Sequence, residues 1–173
     1  MYQVIINSGI DVAIGNHIGK KVIIGSDHRG YDHKQRIIDY LKEINYTVID
    51  VGTYSRDRCD YPAISDSIGA KVSEDPTGTV GIGICGSGIG ILIPAGKHKG
   101  VYTARCLTPE DAATSRMHNN SNMLGISADR CDVRTAINIV DAWLDTKFYS
   151  DPVKDQPYMD RFIQTVQLER RLK

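Results

Sequence analysis

Neither sign of charge prevails in this chain: 21 lysines and arginines face 21 aspartates and glutamates, and no long single-sign block occurs. Nucleic-acid tracts and solvating tails need such blocks, so the balance points away from nucleic acid and towards a small-molecule ligand. Also missing is any apolar run near the roughly 20 residues that a membrane-spanning helix requires. The opening stretch MYQVIINSGIDVAIGNHIGK lacks the basic n-region and small-residue cleavage site of a signal peptide. A cytoplasmic protein with no membrane partner is therefore expected. Cys59, Cys85, Cys106 and Cys131 form no CxxC pair and are too sparse for a disulfide scaffold, which fits free thiols in a reducing compartment. His17, His33 and His98 show no metal-ligand spacing. Internal repeats, low-complexity tracts and interdomain linkers are absent too.

What is present is an alternation of two periodicities. At 173 residues the chain can bury one core and not two, so residues 21–173 are read as a single domain behind an N-terminal extension, 1–20. Within that extension Val4-Ile5-Ile6 and Val12-Ala13-Ile14 are either extra strands or part of a loosely attached segment. Short β-branched runs predict strands over 21–25, 46–51, 79–84, 101–104 and 122–127. Between them, apolar residues at helical spacing predict helices over 31–44, 62–72, 109–117 and 133–144, a short helix reaching about Lys97, and a final charged helix over 156–172. Strands alternating with helices call for a three-layer αβα sandwich around a mostly parallel five-stranded sheet, flavodoxin- or Rossmann-like. In such folds ligands bind outside the carboxyl ends of the strands, where Asp27, His28, Cys85 and His118 are expected to fall.

The densest candidate is Cys85-Gly86-Ser87-Gly88-Ile89-Gly90, at a strand end. The glycines allow successive N–H groups to turn inward as an anion-binding nest, and a following helix start would favour a thiolate. Two readings stay open from these residues alone: an activated base, or a buried cysteine above a tight turn. The segment lacks the Lys-Ser/Thr ending of a P-loop and the acidic partner of a dinucleotide fingerprint, which argues against a nucleotide cofactor. Asp27-His28 either brings an imidazole to a sugar hydroxyl or phosphate, with the carboxylate orienting it or binding hydroxyls, or is a helix N-cap followed by an exposed histidine. His118-Asn119-Asn120 supplies an imidazole with two amides, or a plain helix C-cap. Tyr61, held extended by Pro62, lines a sugar pocket or packs in the core.

Taken together, IIGSDHRGY, VIDVGTYS with DYP, GICGSGIGI and SRMHNNSN resemble, in this order, the family of B-type ribose 5-phosphate isomerases, which includes galactose 6-phosphate isomerase subunits. The resemblance runs from about Lys21 to Leu172. It implies a flavodoxin-like sandwich, a homodimer or homotetramer with sites between subunits, and interconversion of ribose 5-phosphate and ribulose 5-phosphate through a cis-enediol with neither metal nor cofactor. It also implies roles: Cys85 as the base on carbon, Ser87 with the backbone of Gly86, Gly88 and Gly90 as the enediolate-stabilising loop, and His118 as the ring-opening residue. Asp27, His28, Tyr61 and Asn119 match positions lining the sugar or phosphate pocket.

Three departures from the family pattern stand out, and the two that concern arginines bear on the substrate. Family members commonly place an arginine eleven residues after the ring-opening histidine; here that position is Asp129, with Arg130 beside it. Of a pair of phosphate-binding arginines four apart at the start of the last helix, only Arg161 is matched, with Pro157 at the other position. Arg130, Arg134 and Lys97 are candidates to compensate. Ala95-Gly96-Lys97 also replaces an AANK form. A six-carbon sugar phosphate and a non-catalytic sugar-phosphate-binding module therefore remain as alternative readings.

Overall fold

The computed structural model describes residues 2–6, 10–14, 21–148, 151 and 153–171. Two strands, β1 (Tyr2–Ile6) and β2 (Ile10–Ile14), pair antiparallel, with Tyr2 opposite Ile14 and Ile6 opposite Ile10. From Lys21 onward the chain builds an α/β sheet. β3 (Lys21–Ser26), a 3-10 turn (His28–Gly30) and α1 (Tyr31–Glu43) lead to β4 (Thr47–Asp50). α2 (Tyr61–Glu74), β5 (Thr79–Cys85) and the single turn α3 (Leu92–Ala95) follow. β6 (Thr103–Arg105), α4 (Pro109–Asn119), β7 (Met123–Ser127), α5 (Val133–Asp145) and α6 (Gln156–Arg171) complete it.

All five strands of the main sheet are parallel, in the order β4-β3-β5-β7-β6. Successive residues of a strand face opposite sides, and both sides are covered. Val22 and Ile24 join a cluster with Ile37, Leu41, Ile139 and Trp143 beneath α1, α4 and α5. Ile23 joins Ile68, Val72 and Ile91 on the other side, beneath α2 and α3. Double coverage is why β3 and β5 read as unbroken apolar runs rather than alternating ones. Phe148, Met159, Phe162 and Val166 form a third cluster that seats α6.

Local signals fix the element ends. Thr108 accepts from the Asp111 N–H while Asp111 reaches back, a capping box with Pro109 in the first turn of α4. Asp132 caps α5 by accepting from the Thr135 N–H. β6 starts later than the apolar pattern predicts. Val101 is spent on a turn to the His98 carbonyl, and the Tyr102 N–H is taken by the Asn122 side chain at 2.8 Å, so ladder pairing begins only at Thr103. No helix among the described residues is long and apolar enough to cross a membrane.

Candidate active site

The chain crosses from β4 back over β3 to reach β5, so connections leave β3 and β5 in opposite directions and open a crevice at their carboxyl ends. Asp27 and Cys85 stand at that crevice. Cys85 closes β5 with its side chain 3% exposed. Its Sγ accepts from the Gly88 N–H at 3.2 Å and lies 4.0 Å from Ser87 Oγ, which in turn accepts from the Ile89 N–H at 3.2 Å. Gly88 has φ +70, and a Cβ there would stand 2.8 Å from the Ile126 carbonyl carbon, so only glycine fits this turn against β7. The donors around the sulfur are thus individual loop N–H groups; α3 is one turn long and begins seven residues beyond Cys85, so the helix start expected beside the thiol is not there.

Of the other thiols, Cys59 is half-buried, and Cys106 and Cys131 are buried. Burial pushes Cys106 up to about 11, with Ser115 opposing the shift, and burial also raises Cys131, whose thiol donates to the Ser127 carbonyl at 3.0 Å.

Asp27 does what its position before a helical turn allows: one carboxylate oxygen accepts from the Arg29 and Gly30 N–H groups at 2.9 and 3.1 Å. That cap holds His28 at the crevice. His28 Nδ1 lies 3.1 Å from the Cys59 carbonyl and 3.4 Å from the Cys59 N–H, so the Cys59 backbone orients the ring and leaves Nε2 free of this contact. Tyr61, half-buried at the start of α2, lays its ring against Gly90, with Cζ 2.8 Å from where a Cβ would stand. Asp27, His28, Tyr61, Cys85, Ser87 and the Gly86, Gly88 and Gly90 backbone therefore share one end of the sheet.

His118, Asn119 and Arg161 do not join them. α4 runs back from the carboxyl end of β6 to the start of β7, which places its last turn at the opposite, amino end of the strands. There His118 stacks on Tyr158, ring centroids 4.0 Å apart, and with Asn119 and Arg161 it lines a cavity of about 480 Å³ between α4, α6 and the start of β6. Arg161 donates to the Pro157 carbonyl at 2.9 Å and lies over the Tyr158 ring. Asn120 is the left-handed C-cap of α4. Beneath it the buried Arg116 donates to Asn120 Oδ1 at 3.1 Å and to the Ser121 carbonyl; burial pulls its guanidinium down to about 10. Arg130 is exposed in the turn after β7.

Several residues that motif reading passes over stand at the Cys85 end. Arg29 pairs with Asp129 at 2.7 Å, and the pair lies over Gly86, whose Cβ position is 2.9 Å from Arg29 Nε. The Gly86 carbonyl accepts from Ser127 Oγ at 2.7 Å and the Asp129 N–H at 3.1 Å. The Ser87 carbonyl accepts from Arg105 Nε at 2.8 Å. A buried Lys34 binds both oxygens of Asp50 at 2.6 Å and the Thr53 carbonyl at 2.7 Å, bracing the loop that pairs with Ser26 just before Asp27. Of these, Arg29 had a sequence signal in its place inside SDHRGY, Asp129 in standing where an arginine is common, and Lys34 in its place on the apolar stripe of α1.

Fold and site define a doubly covered parallel α/β protein with a thiol and a glycine loop gathered at the carboxyl ends of its strands. The sequence profile of the Ribose/Galactose Isomerase family matches residues 22–158, and the chain belongs to that family of isomerases. Ribose-5-phosphate isomerase B of Escherichia coli (strain K12) is 38% identical over 129 residues, covering 75% of this chain and 86% of the relative. The Mycobacterium tuberculosis (strain H37Rv) protein of the same name is 40% identical, covering 74% and 79%. Among solved structures, ribose-5-phosphate isomerase B from Mycoplasma genitalium with bound ribulose-5-phosphate superposes with a TM-score of 0.81 at 31% identity, covering 89% of this chain and 99% of that one.

Proposed function

We propose that this protein interconverts ribose 5-phosphate and ribulose 5-phosphate, with Cys85 as the base on carbon. The observation that carries the reading is the thiol of Cys85 at a strand end, faced by the Gly88 N–H and closed in by the Ser87 loop. In the proposed reaction His118 protonates the ring oxygen as the C1 hydroxyl loses its proton, which opens the sugar. The Cys85 thiolate takes the proton from C2, and the electron pair moves to make a cis-enediolate between C1 and C2. Ser87 and the N–H groups of the glycine loop stabilise the developing oxyanion. The O2 proton passes to O1, Cys85 returns its proton to C1, and the C2 oxygen becomes the carbonyl of the ketose. Asp27, His28, Tyr61 and Asn119 bind hydroxyls or the phosphate, and Arg161 and Arg130 serve the phosphate. No cofactor enters this scheme.

His118 and Cys85 stand at opposite strand ends in one chain, so the scheme requires a homo-oligomer in which each site takes Cys85 from one subunit and His118, Asn119 and Arg161 from another. Purified protein is expected to interconvert the two pentose phosphates, and Cys85→Ala to abolish this while leaving the protein folded. No turnover in the unaltered protein refutes the reading. Asp129 and Pro157 in place of arginines favour testing a six-carbon substrate beside the pentose; higher kcat/KM on allose or galactose 6-phosphate transfers the assignment to a hexose.

A further inference from the structure

We propose that Arg105 is a positioning residue that acts on Cys85 through the single peptide unit joining Ser87 to Gly88; this rests on the reading of Cys85 as the base. Arg105 is the last residue of β6, and its Nε donates to the Ser87 carbonyl at 2.8 Å. The N–H of the same peptide unit belongs to Gly88 and donates to Cys85 Sγ at 3.2 Å. In a planar trans peptide the carbonyl and the N–H point in opposite directions. Drawing the oxygen towards Arg105 therefore aims the hydrogen at the sulfur.

Neighbouring contacts keep that unit from swivelling. The preceding carbonyl, of Gly86, is held by Ser127 Oγ and the Asp129 N–H. Gly88 follows with its left-handed φ, pressed against the backbone of Ile126 and Ser127. Two guanidinium groups flank the loop, and they differ in charge balance. Arg29 is paired with Asp129, whereas Arg105 takes part in none of the ion pairs among the described residues. Its charge falls on the Ser87 carbonyl instead. A cation on the oxygen polarises the peptide and strengthens its N–H as a donor, which favours negative charge on the sulfur.

The test measures the thiol apart from turnover. Full-length protein is treated with iodoacetamide at pH 7, and modification of the Cys85 peptide is followed by mass spectrometry, which separates it from the other three cysteines. Arg105→Leu is expected to slow alkylation of Cys85 about tenfold through loss of thiolate. Its kcat falls by about the same factor while KM stays within about twofold, the pattern of a group that acts on the chemistry and not on binding. Arg105→Lys restores most of both rates. Unchanged alkylation in a folded Arg105→Leu protein overturns the proposal, as does a raised KM with normal kcat, which would make Arg105 a substrate contact. Should the leucine variant fail to fold, Arg105→Gln takes its place, and alkylation at the unaltered rate then overturns the proposal. Slowed alkylation in a protein without turnover on either pentose phosphate supports the positioning role and refutes the proposed reaction instead.

Discussion

Equal amounts of Cys85→Ala and His118→Ala chains, each inactive alone, are expected to regain activity when assembled together. Gly81 pairs with Met123 and Cys85 with Ser127, so the sulfur lies four residue steps along the strands from the end where α4 delivers the chain. At ~3.3 Å per residue that is about 13 Å before the last turn of α4 is counted. A base and an acid acting on one sugar ring must each come within about 3.5 Å of it, so one chain cannot supply both. In a two-fold dimer a mixed pair has one site with both Cys85 and His118 and one site with neither. Equal inputs make about half of all dimers mixed, so about a quarter of wild-type activity returns, or about half if mixed dimers are isolated through two different tags. The readout is ketose formation from ribose 5-phosphate by the doubly tagged fraction. Activity no greater than the parents' residual rates, in dimers verified to contain both chains, refutes the shared site.

Three further outcomes follow from single contacts. Gly88→Ala forces a side chain into a left-handed position and against the β7 backbone. It should lower stability to urea by about 2 kcal/mol and kcat by about 100-fold as the donor to sulfur moves away. Lys34→Met strips the counter-charge from Asp50 in a pair whose lysine is fully buried, and a loss of about 3 kcal/mol in urea unfolding is expected; a loss below about 1 kcal/mol would mean the pair behaves as a surface one. Tyr40 donates to Asp141 at 2.5 Å, and that bond, with burial and the charges of Asp141 and Asp145, pushes its phenol up to about 12. A folded value above the unfolded one means the stabilisation is full below pH ~10 and is lost as pH climbs through the folded value. The urea midpoint should therefore fall more steeply between pH 10 and 12 in the unaltered protein than in Tyr40→Phe.

The α/β class and the Cys85 end of the site are legible in the sequence because each depends on neighbours along the chain. β-branched runs, the Thr108-Pro109 start of α4 and the glycines around Ser87 all declare themselves within a few residues. The strand order is another matter: periodicity states that Met123–Ser127 is a strand, but not that it slips between β5 and β6. Arg29 with Asp129, and Arg105 with the Ser87 carbonyl, are likewise pairings set by that order, and nothing local marks them. Lys34 left a trace, standing three before Ile37 and seven before Leu41 on the buried stripe of α1, where a cation is out of place unless it has a partner. The short helix expected after the glycine loop starts only at Leu92, because glycines at 86, 88 and 90 keep the chain next to Cys85 out of a helix.

The late insertion of β7 has a consequence for how the protein is made. β6 has no neighbour in the sheet except β7, so as the chain leaves the ribosome β6 must wait, unpaired, until α4 and β7 have emerged. Until then β4, β3 and β5 can pair, but Cys85 sits at an open edge, with Ser127, Asp129 and Arg105 not yet fixed around its loop. The thiol acquires its surroundings only when the last strand closes the sheet. A nascent chain halted before Met123 would thus display a cysteine with the reactivity of an unstructured one, and the change on release would time the closing step.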